Sequence, residues 1–528
     1  MGKVSKEAQM AKIIIDPITR IEGHLKVEVM TDGGEIVEAR SSGTLFRGFE
    51  NILKGRDPRD AQRITQRVCG VCPAVHGTAA ALNLDSAFGI ADRVPDNGRV
   101  MRNLILGSNF LQSHILHFYH LAALDYVDVT AATDYEGQDP NLRSVSRFIT
   151  RGELAPFVPR YEGDYRLSKE ANRAAVAHYV EALDMRRIAH EMLATFGGKM
   201  PHNAAVMPGG CTEAPTTDKI ASFLWRLNRL KDFIDNVYIP DVIAVAEAYP
   251  DYFEIGPGCG NLLSYGVFDL DGAEPDLTKR KRLHVQGTVN TDLVPGELDV
   301  SKITEHVRHA WYADASTGRH PSEGETLPES EKPDGYSWLK SPRYNDQVYE
   351  VGPLARMAVT YVKGNGTVKK LVDDCLAHFN AGPGALFSVL GRHAARALDA
   401  KLIADAMAGW LLQLKPGEPV CTDYEIPDEG SGMGITDGPR GALGHWISIK
   451  NKVTDSYQLV VPTTWNASPK DDKDRPGPIE QALIGTRLKD EANPFEVVRI
   501  VRAFDPCLAC SVHLITPKGR TLGVARVS

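Results

Sequence analysis

The 528-residue sequence has no apolar run of about 18 residues, so it predicts no transmembrane helix. It has no excess of positive charge: 60 Lys and Arg stand against 68 Asp and Glu, for a net charge of −8. Without a basic stripe to neutralise phosphates, nucleic acid is excluded as the main partner. The opening MGKVSKEAQMAK lacks an apolar h-region, so no secretory signal is expected in this chain. Eight cysteines are too few for a disulfide scaffold. The remaining composition, 43% hydrophobic and 24% charged, excludes a disordered or collagenous chain and provides for a large core.

The hydrophobic pattern divides the chain. Residues 1–11 read as a polar arm. Ile13 to Ile15 read as a strand ending at Asp16-Pro17, because Pro17 cannot donate to a ladder. Leu25, Val27 and Val29 alternate with charged residues, and Asp32-Gly33-Gly34 then predicts a hairpin. From about Pro58 the pattern turns helical, most clearly over 97–125, 169–196, 219–249 and 384–414. Residues 262–345 predict short strands and long loops without a separate core, and 466–480 an exposed loop. The fold class is α+β, predominantly helical, with small sheets near both ends of the chain.

Four of the eight cysteines form two C-x2-C pairs, Cys69/Cys72 and Cys507/Cys510. Cys211, Cys259, Cys375 and Cys421 are single, and single cysteines are usually core. Two pairs can place four thiolates on one soft-ligand metal. A zinc knot is one such site, but its pairs usually lie about 15–20 residues apart, and here they stand at opposite ends of the chain. A redox-active dithiol and an iron–sulfur cluster are further readings; the closely spaced ligand run of a ferredoxin is absent. Spacing alone leaves zinc and other metal chemistry open.

The flanking residues narrow the choice. Arg20-Ile21-Glu22-Gly23-His24 and Phe46-Arg47-Gly48-Phe49-Glu50 precede the first pair, and His76 follows it. The second pair sits in Asp505-Pro506-Cys507-Leu508-Ala509-Cys510-Ser511-Val512-His513. With Pro439-Arg440-Gly441 and Pro462-Thr463-Thr464-Trp465-Asn466, these motifs resemble the large subunit of a nickel–iron hydrogenase. The resemblance runs from about residue 12 to the C-terminus. It separates this chain from the related quinone-reductase subunits of respiratory complex I, which lack the paired cysteines.

The resemblance implies the large-subunit fold, with a central helix bundle and small peripheral sheets. It implies a single catalytic domain over 1–513 and a C-terminal propeptide over 514–528, removed by a maturation endopeptidase after chaperone-assisted nickel insertion. It implies a reversible heterolytic cleavage of dihydrogen, in the uptake direction. Cys69, Cys72, Cys507 and Cys510 would hold nickel, with Cys72 and Cys510 bridging to an iron that carries two cyanides and one carbon monoxide. Glu22 would relay protons from Cys507. Arg440 would stand over the metals, oriented by Pro439 and Asp505. Pro462 and Thr463 would cradle a cyanide, and His76 would donate to the Cys510 sulfur. Glu50, the Leu459 carbonyl and His513 would hold Mg2+ or Fe2+ near the C-terminus.

With no iron–sulfur cluster expected in this chain, the resemblance implies an iron–sulfur small subunit as partner. That partner's twin-arginine signal would carry both chains to the periplasm or to a membrane-associated site. A regulatory hydrogen sensor and a zinc-binding structural subunit are the alternatives. One position departs from the family pattern. Where many members have His-Asp-His, this sequence reads Gln112-Ser113-His114, so Asp505 is expected to be the main carboxylate on Arg440. His114, His117 and His120 are expected to be core or interface residues, and His202 matches a family motif near the partner.

Overall fold

A computed structural model describes residues 10–152, 157–158, 160 and 162–511, with the side chains of Cys510 and Ser511 outside the description. The N-terminal arm up to Gln9, His513 and the proposed propeptide lie outside the described residues. Strands β1 (Met10–Ile15), β2 (Leu25–Asp32) and β3 (Glu35–Gly43) form an antiparallel sheet with Ile13 opposite Val29. The β2–β3 turn is made by Gly33 and Gly34, both at positive φ. Leu25, Val27 and Val29 face the core while their neighbours are half-buried, the period-2 signature of a one-sided sheet. Arg20 to His24 form the connection between β1 and β2.

Short helix α1 (Phe49–Leu53) precedes α2 (Pro73–Ala87) and α3 (Asp96–Ile115), which continues through a π turn as far as Ala122. Then come α4 (Lys169–Gly197), α5 (Thr217–Phe233), α6 (Pro353–Val362) and α7 (Val389–Leu411). Ser168 caps α4 by accepting from the Ala171 amide at 3.1 Å, and Ser388 caps α7 by accepting from Gly391 at 2.9 Å. Helices α3, α4, α5 and α7 pack each against the next as a central bundle. Helix α3 is buried on nearly every side, so its polar residues Asn109, Gln112, Ser113 and His114 must find partners inside the protein.

A second antiparallel sheet comprises β4 (Glu429–Gly438), β5 (Gly441–Lys450) and β6 (Val453–Val460). Gly438 pairs with Gly441, leaving Pro439 and Arg440 as a two-residue hairpin loop. Helix α2 lies directly on β4. A Cβ at Gly432 would stand 2.1 Å from the Asn83 carbonyl oxygen, and one at Gly434 2.0 Å from that of Ala79. Glycine at both positions lets the helix backbone approach the sheet. This approach brings the start of α2, just after Cys72, toward the Arg440 hairpin.

Helices α8 (Pro462–Asn466), α9 (Phe495–Ala503) and α10 (Leu508–Ser511) end the described chain. Residues 262–345 hold short strands and loops, as their composition predicts. Two expectations need correction. The segment 466–480 is largely packed, with Lys473 and Asp474 its exposed residues. Buried Asp471 accepts from Arg343 and Arg475, and buried Glu480 accepts from the Ser41 and Gly477 amides. Charges satisfied inside the fold give the same composition as a solvated loop. Of the four single cysteines, Cys211 is buried, but Cys259, Cys375 and Cys421 are only partly so.

Candidate metal centre

Both ends of the chain deliver thiols to one place. Cys69 leaves the Gln66–Val68 turn in extended conformation, and Cys72 caps α2 with proline at the first helical position. From the other end, Asp505 adopts φ +55°, a conformation aspartate tolerates, and turns the chain into Pro506-Cys507 ahead of α10. The ligand atoms of Cys69, Cys72 and Cys507 lie within 4.8 Å of one another, all buried. The Cys69 and Cys507 sulfurs are 3.4 Å apart. Among the described residues no other group of three metal-ligating side chains is so placed. The Cys510 backbone belongs to α10, and its thiol lies outside the described side chains. An all-thiolate donor set suits a soft, polarisable metal such as nickel, so the residues present fit the group the family implies.

The supports of this cluster are mostly backbone contacts. The Val71 amide donates to the Cys69 sulfur at 3.2 Å. The Val71 carbonyl accepts from Asn109 at 2.9 Å and from Gln112 at 2.7 Å, so α3 fixes the Cys69–Cys72 loop. The Arg47 guanidinium donates to the carbonyls of both Val68 and Ala509, tying one cysteine motif to the other. Sequence reasoning missed Arg47, Asn109 and Gln112 in this role, because a backbone carbonyl as partner leaves no residue pattern.

Glu22 lies alongside Cys507 in a parallel bridge, and its carbonyl accepts from the Leu508 amide at 2.7 Å. Its carboxylate accepts from the Ala509 amide at 2.8 Å and from the Cys507 thiol at 3.3 Å. Burial, and then the charge of Cys69, push the Glu22 pKa upward. Arg20 pairs instead with Asp125. Gly23 is at φ +85°, and a Cβ there would stand 2.7 Å from Leu508 Cβ. Glycine is therefore what lets the Arg20–His24 connection lie against the second cysteine motif.

Arg440 donates through Nε to the Asp505 carbonyl at 3.0 Å and through Nη2 to its carboxylate at 2.9 Å. Its Nη1 donates to the Ser113 hydroxyl at 3.3 Å. One acid and one hydroxyl therefore orient this guanidinium. Burial opposes its charge, but Asp505 and the thiols of Cys507, Cys72 and Cys69 hold its pKa well above the ordinary value. The Pro439 carbonyl accepts from Arg356 at 3.0 Å. Thr463, next to Pro462 in α8, accepts from the Cys507 amide at 2.9 Å. His76 is buried with Nδ1 3.4 Å from His445 Nε2, and burial pulls its pKa down to about 4.

Glu50 lies elsewhere and is half-buried. It accepts from the Leu459 amide at 2.9 Å and from the Thr326 hydroxyl. It shares a small cavity with Glu305, Lys340 and Leu459. Lys340 donates to Glu305 at 3.0 Å and to Gln458 at 3.1 Å. These oxygen donors have the chemistry a hard cation takes. His513, the third expected ligand, lies outside the described residues.

The histidine run does not converge. His114 meets Asp399, His117 meets the Arg502 carbonyl, and half-buried His120 meets that of Tyr179. His202 is half-buried.

Comparison with known proteins agrees with this geometry. A family model described as nickel-dependent hydrogenase matches residues 47–513, and a HoxL-like model matches 12–42. The chain is 43% identical to the periplasmic [NiFeSe] hydrogenase large subunit of Desulfomicrobium baculatum, over 96% of this chain and 95% of that one. It is 36% identical to the quinone-reactive Ni/Fe-hydrogenase large chain of Wolinella succinogenes, over 98% of each. The solved Ni-Fe-Se hydrogenase of D. vulgaris Hildenborough in the reduced state superposes with a TM-score of 0.85 at 44% identity, covering 96% of this chain and all of that one. Where those relatives' names include selenium, this sequence has cysteine at 69, 72, 507 and 510. The chain belongs to the nickel-dependent hydrogenase family, a class of oxidoreductases acting on hydrogen, and has the fold of its large subunits.

Proposed function

We propose that this chain is the catalytic large subunit of a hydrogen-uptake hydrogenase. The observation that carries the reading is the three-thiol cluster with the Glu22 carboxylate 3.3 Å from the Cys507 sulfur. Cys69, Cys72, Cys507 and Cys510 would hold a nickel–iron group, with Cys72 and Cys510 as the expected shared ligands and cyanide and carbon monoxide expected on the iron. When bound, this group supplies the centre at which dihydrogen is cleaved heterolytically and from which two electrons leave.

The protein's own part is to receive and guide the proton. The Cys507 sulfur accepts it and Glu22 takes it onward. A raised carboxyl pKa suits that exchange, since a relay works best near the working pH. Arg440, fixed by Asp505 and Ser113, presents a buried cation to the centre, where it can hydrogen-bond a cyanide nitrogen. Thr463 holds the Cys507 amide, so it fixes the ligand's backbone and stands ready to line the cyanide pocket with Pro462.

Glu50 and the Leu459 backbone, with His513, would hold Mg2+ or Fe2+. The electrons pass to an iron–sulfur small subunit, because the four remaining cysteines are scattered singly in the sequence. The relatives named periplasmic and uptake hydrogenases support a periplasmic site and the uptake direction. Among the described residues no helix is long and apolar enough to cross a membrane. Residues 514–528 are the maturation tail.

The test is hydrogen-dependent reduction of a viologen dye by the purified complex, with infrared spectra of the same sample. Activity together with cyanide and carbon monoxide bands is expected. A zinc-only protein without those bands would refute the reading.

A further inference from the structure

Beside the thiol cluster, the bundle buries a second polar assembly. Asp399, on α7, is fully buried. Its Oδ2 accepts from Arg356 Nε at 2.9 Å and Nη2 at 2.7 Å, and lies 2.8 Å from His114 Nε2. Its Oδ1 lies 2.7 Å from His284 Nε2. A buried carboxylate met by one arginine and two histidines is costly to assemble unless it fixes something. The other side of Arg356 shows what is fixed. Nη1 donates to the Gly438 carbonyl and Nη2 to the Pro439 carbonyl, both at 3.0 Å.

Those carbonyls lie at the end of β4 and in the hairpin loop that ends in Arg440. A two-residue loop has few backbone torsions, so holding the peptides on both sides of Pro439 sets where the next side chain departs. Asp399 reaches the same guanidinium a second way. It anchors His114, the neighbour of Ser113 on α3, and Ser113 accepts from Arg440 Nη1 at 3.3 Å. Both elements that aim Arg440, apart from Asp505, are thus tied to one carboxylate.

We infer that Asp399 and Arg356 are positioning residues that set the direction of the Arg440 guanidinium through the Gly438-Pro439 carbonyls. Their hydrogen bonds run to the Gly438-Pro439 carbonyls and to His114 and His284, so they act through another residue. The guanidinium of Arg356 is required for its planar fork: one edge holds a carboxylate while the remaining donors reach two successive carbonyls. Lysine has the charge but a single head. The inference rests on the reading of Arg440 as the cation over the metal pair, and the experiment separates the two.

The full complex is purified as wild type, Arg356→Lys, Asp399→Asn and Arg440→Lys, with nickel and iron content measured for each. Crystal structures and infrared spectra are then compared. In Arg356→Lys, the Arg440 bonds to Asp505 and Ser113 are expected to lengthen or break, and the cyanide bands to shift in the direction that Arg440→Lys produces. The turnover number falls about tenfold while KM for hydrogen holds, because binding of the gas does not use this cation.

Arg440 unmoved in a metal-loaded Arg356→Lys protein overturns the inference, whatever the bands do. Arg440 displaced in Arg356→Lys but bands unchanged in Arg440→Lys supports the inference and removes the reading of Arg440. If Asp399→Asn does not fold, Arg356→Lys decides alone, since it retains the charge opposite Asp399.

Discussion

The two ends of the chain are joined twice, by opposite means. At one junction Asp125 receives Arg20 from the N-terminal connection and Arg502 from α9. Arg502 also donates to the Thr19 carbonyl at 2.9 Å, and Arg499 to the Asp125 carbonyl. Charge there is met by charge. At the other junction, a few residues away in each segment, three thiols and the Glu22 carboxyl crowd around the Arg440 guanidinium, itself already bound to Asp505. The ion-paired junction ties the N-terminal connection to α9, with Arg20 Nε and Asp125 Oδ2 left without a hydrogen-bond partner among the described residues. The thiol junction has the donor set that a soft metal takes.

Substitutions should separate the two. The largest effect is expected for Cys507→Ser, which removes a soft ligand. Nickel content and hydrogen-dependent dye reduction should fall to background while the urea midpoint shifts little, as metal analysis and unfolding on the same sample will show. Asp125→Ala should do the reverse, leaving two arginines buried without their carboxylate. A loss of about 3–5 kcal/mol is expected from equilibrium unfolding. If instead it leaves stability intact, the contrast between the junctions fails.

Glu22→Gln keeps the shape and the Ala509 contact but cannot carry a proton. Turnover should drop by about 10²–10⁴ with nickel retained. Equal loss of nickel would make Glu22 a structural residue.

Acid provides a smaller and sharper comparison. Burial alone would raise the Asp125 pKa, but Arg20 and Arg502 win and hold it below the ordinary value. Its folded pKa is thus lower than its unfolded value of about 3.9, so its stabilisation is present above that pH and lost as pH falls through the folded pKa. The stability gap between wild type and Asp125→Asn should therefore be constant near neutrality and shrink below about pH 4. A gap that stays constant down to acid would mean Asp125 is not the ionised partner.

The sequence disclosed these junctions unequally. The cysteine pairs were legible from their spacing, and Glu22, Arg440 and Asp505 from the family motifs in which they sit. The long helices were legible from their periodicity, and the β2–β3 hairpin from its glycine turn. Arg47, Asn109, Gln112, Arg356 and Asp399 were not, since their partners are backbone carbonyls or residues far along the chain. Ser113 was legible as a departure but not in its consequence, a hydroxyl partner on Arg440 where an acid was usual. The segment 466–480 misled because Asp471 and Glu480 are charged in composition yet buried by Arg343, Arg475 and two amides.

The central claim is that thiolates from both chain ends converge on one nickel. X-ray absorption at the nickel edge of the purified complex tests it most directly. A coordination shell dominated by sulfur is expected in the wild type, and a nickel signal lost to background in Cys69→Ser and in Cys507→Ser alike. A shell of nitrogen and oxygen, or one left unchanged by either substitution, would contradict it.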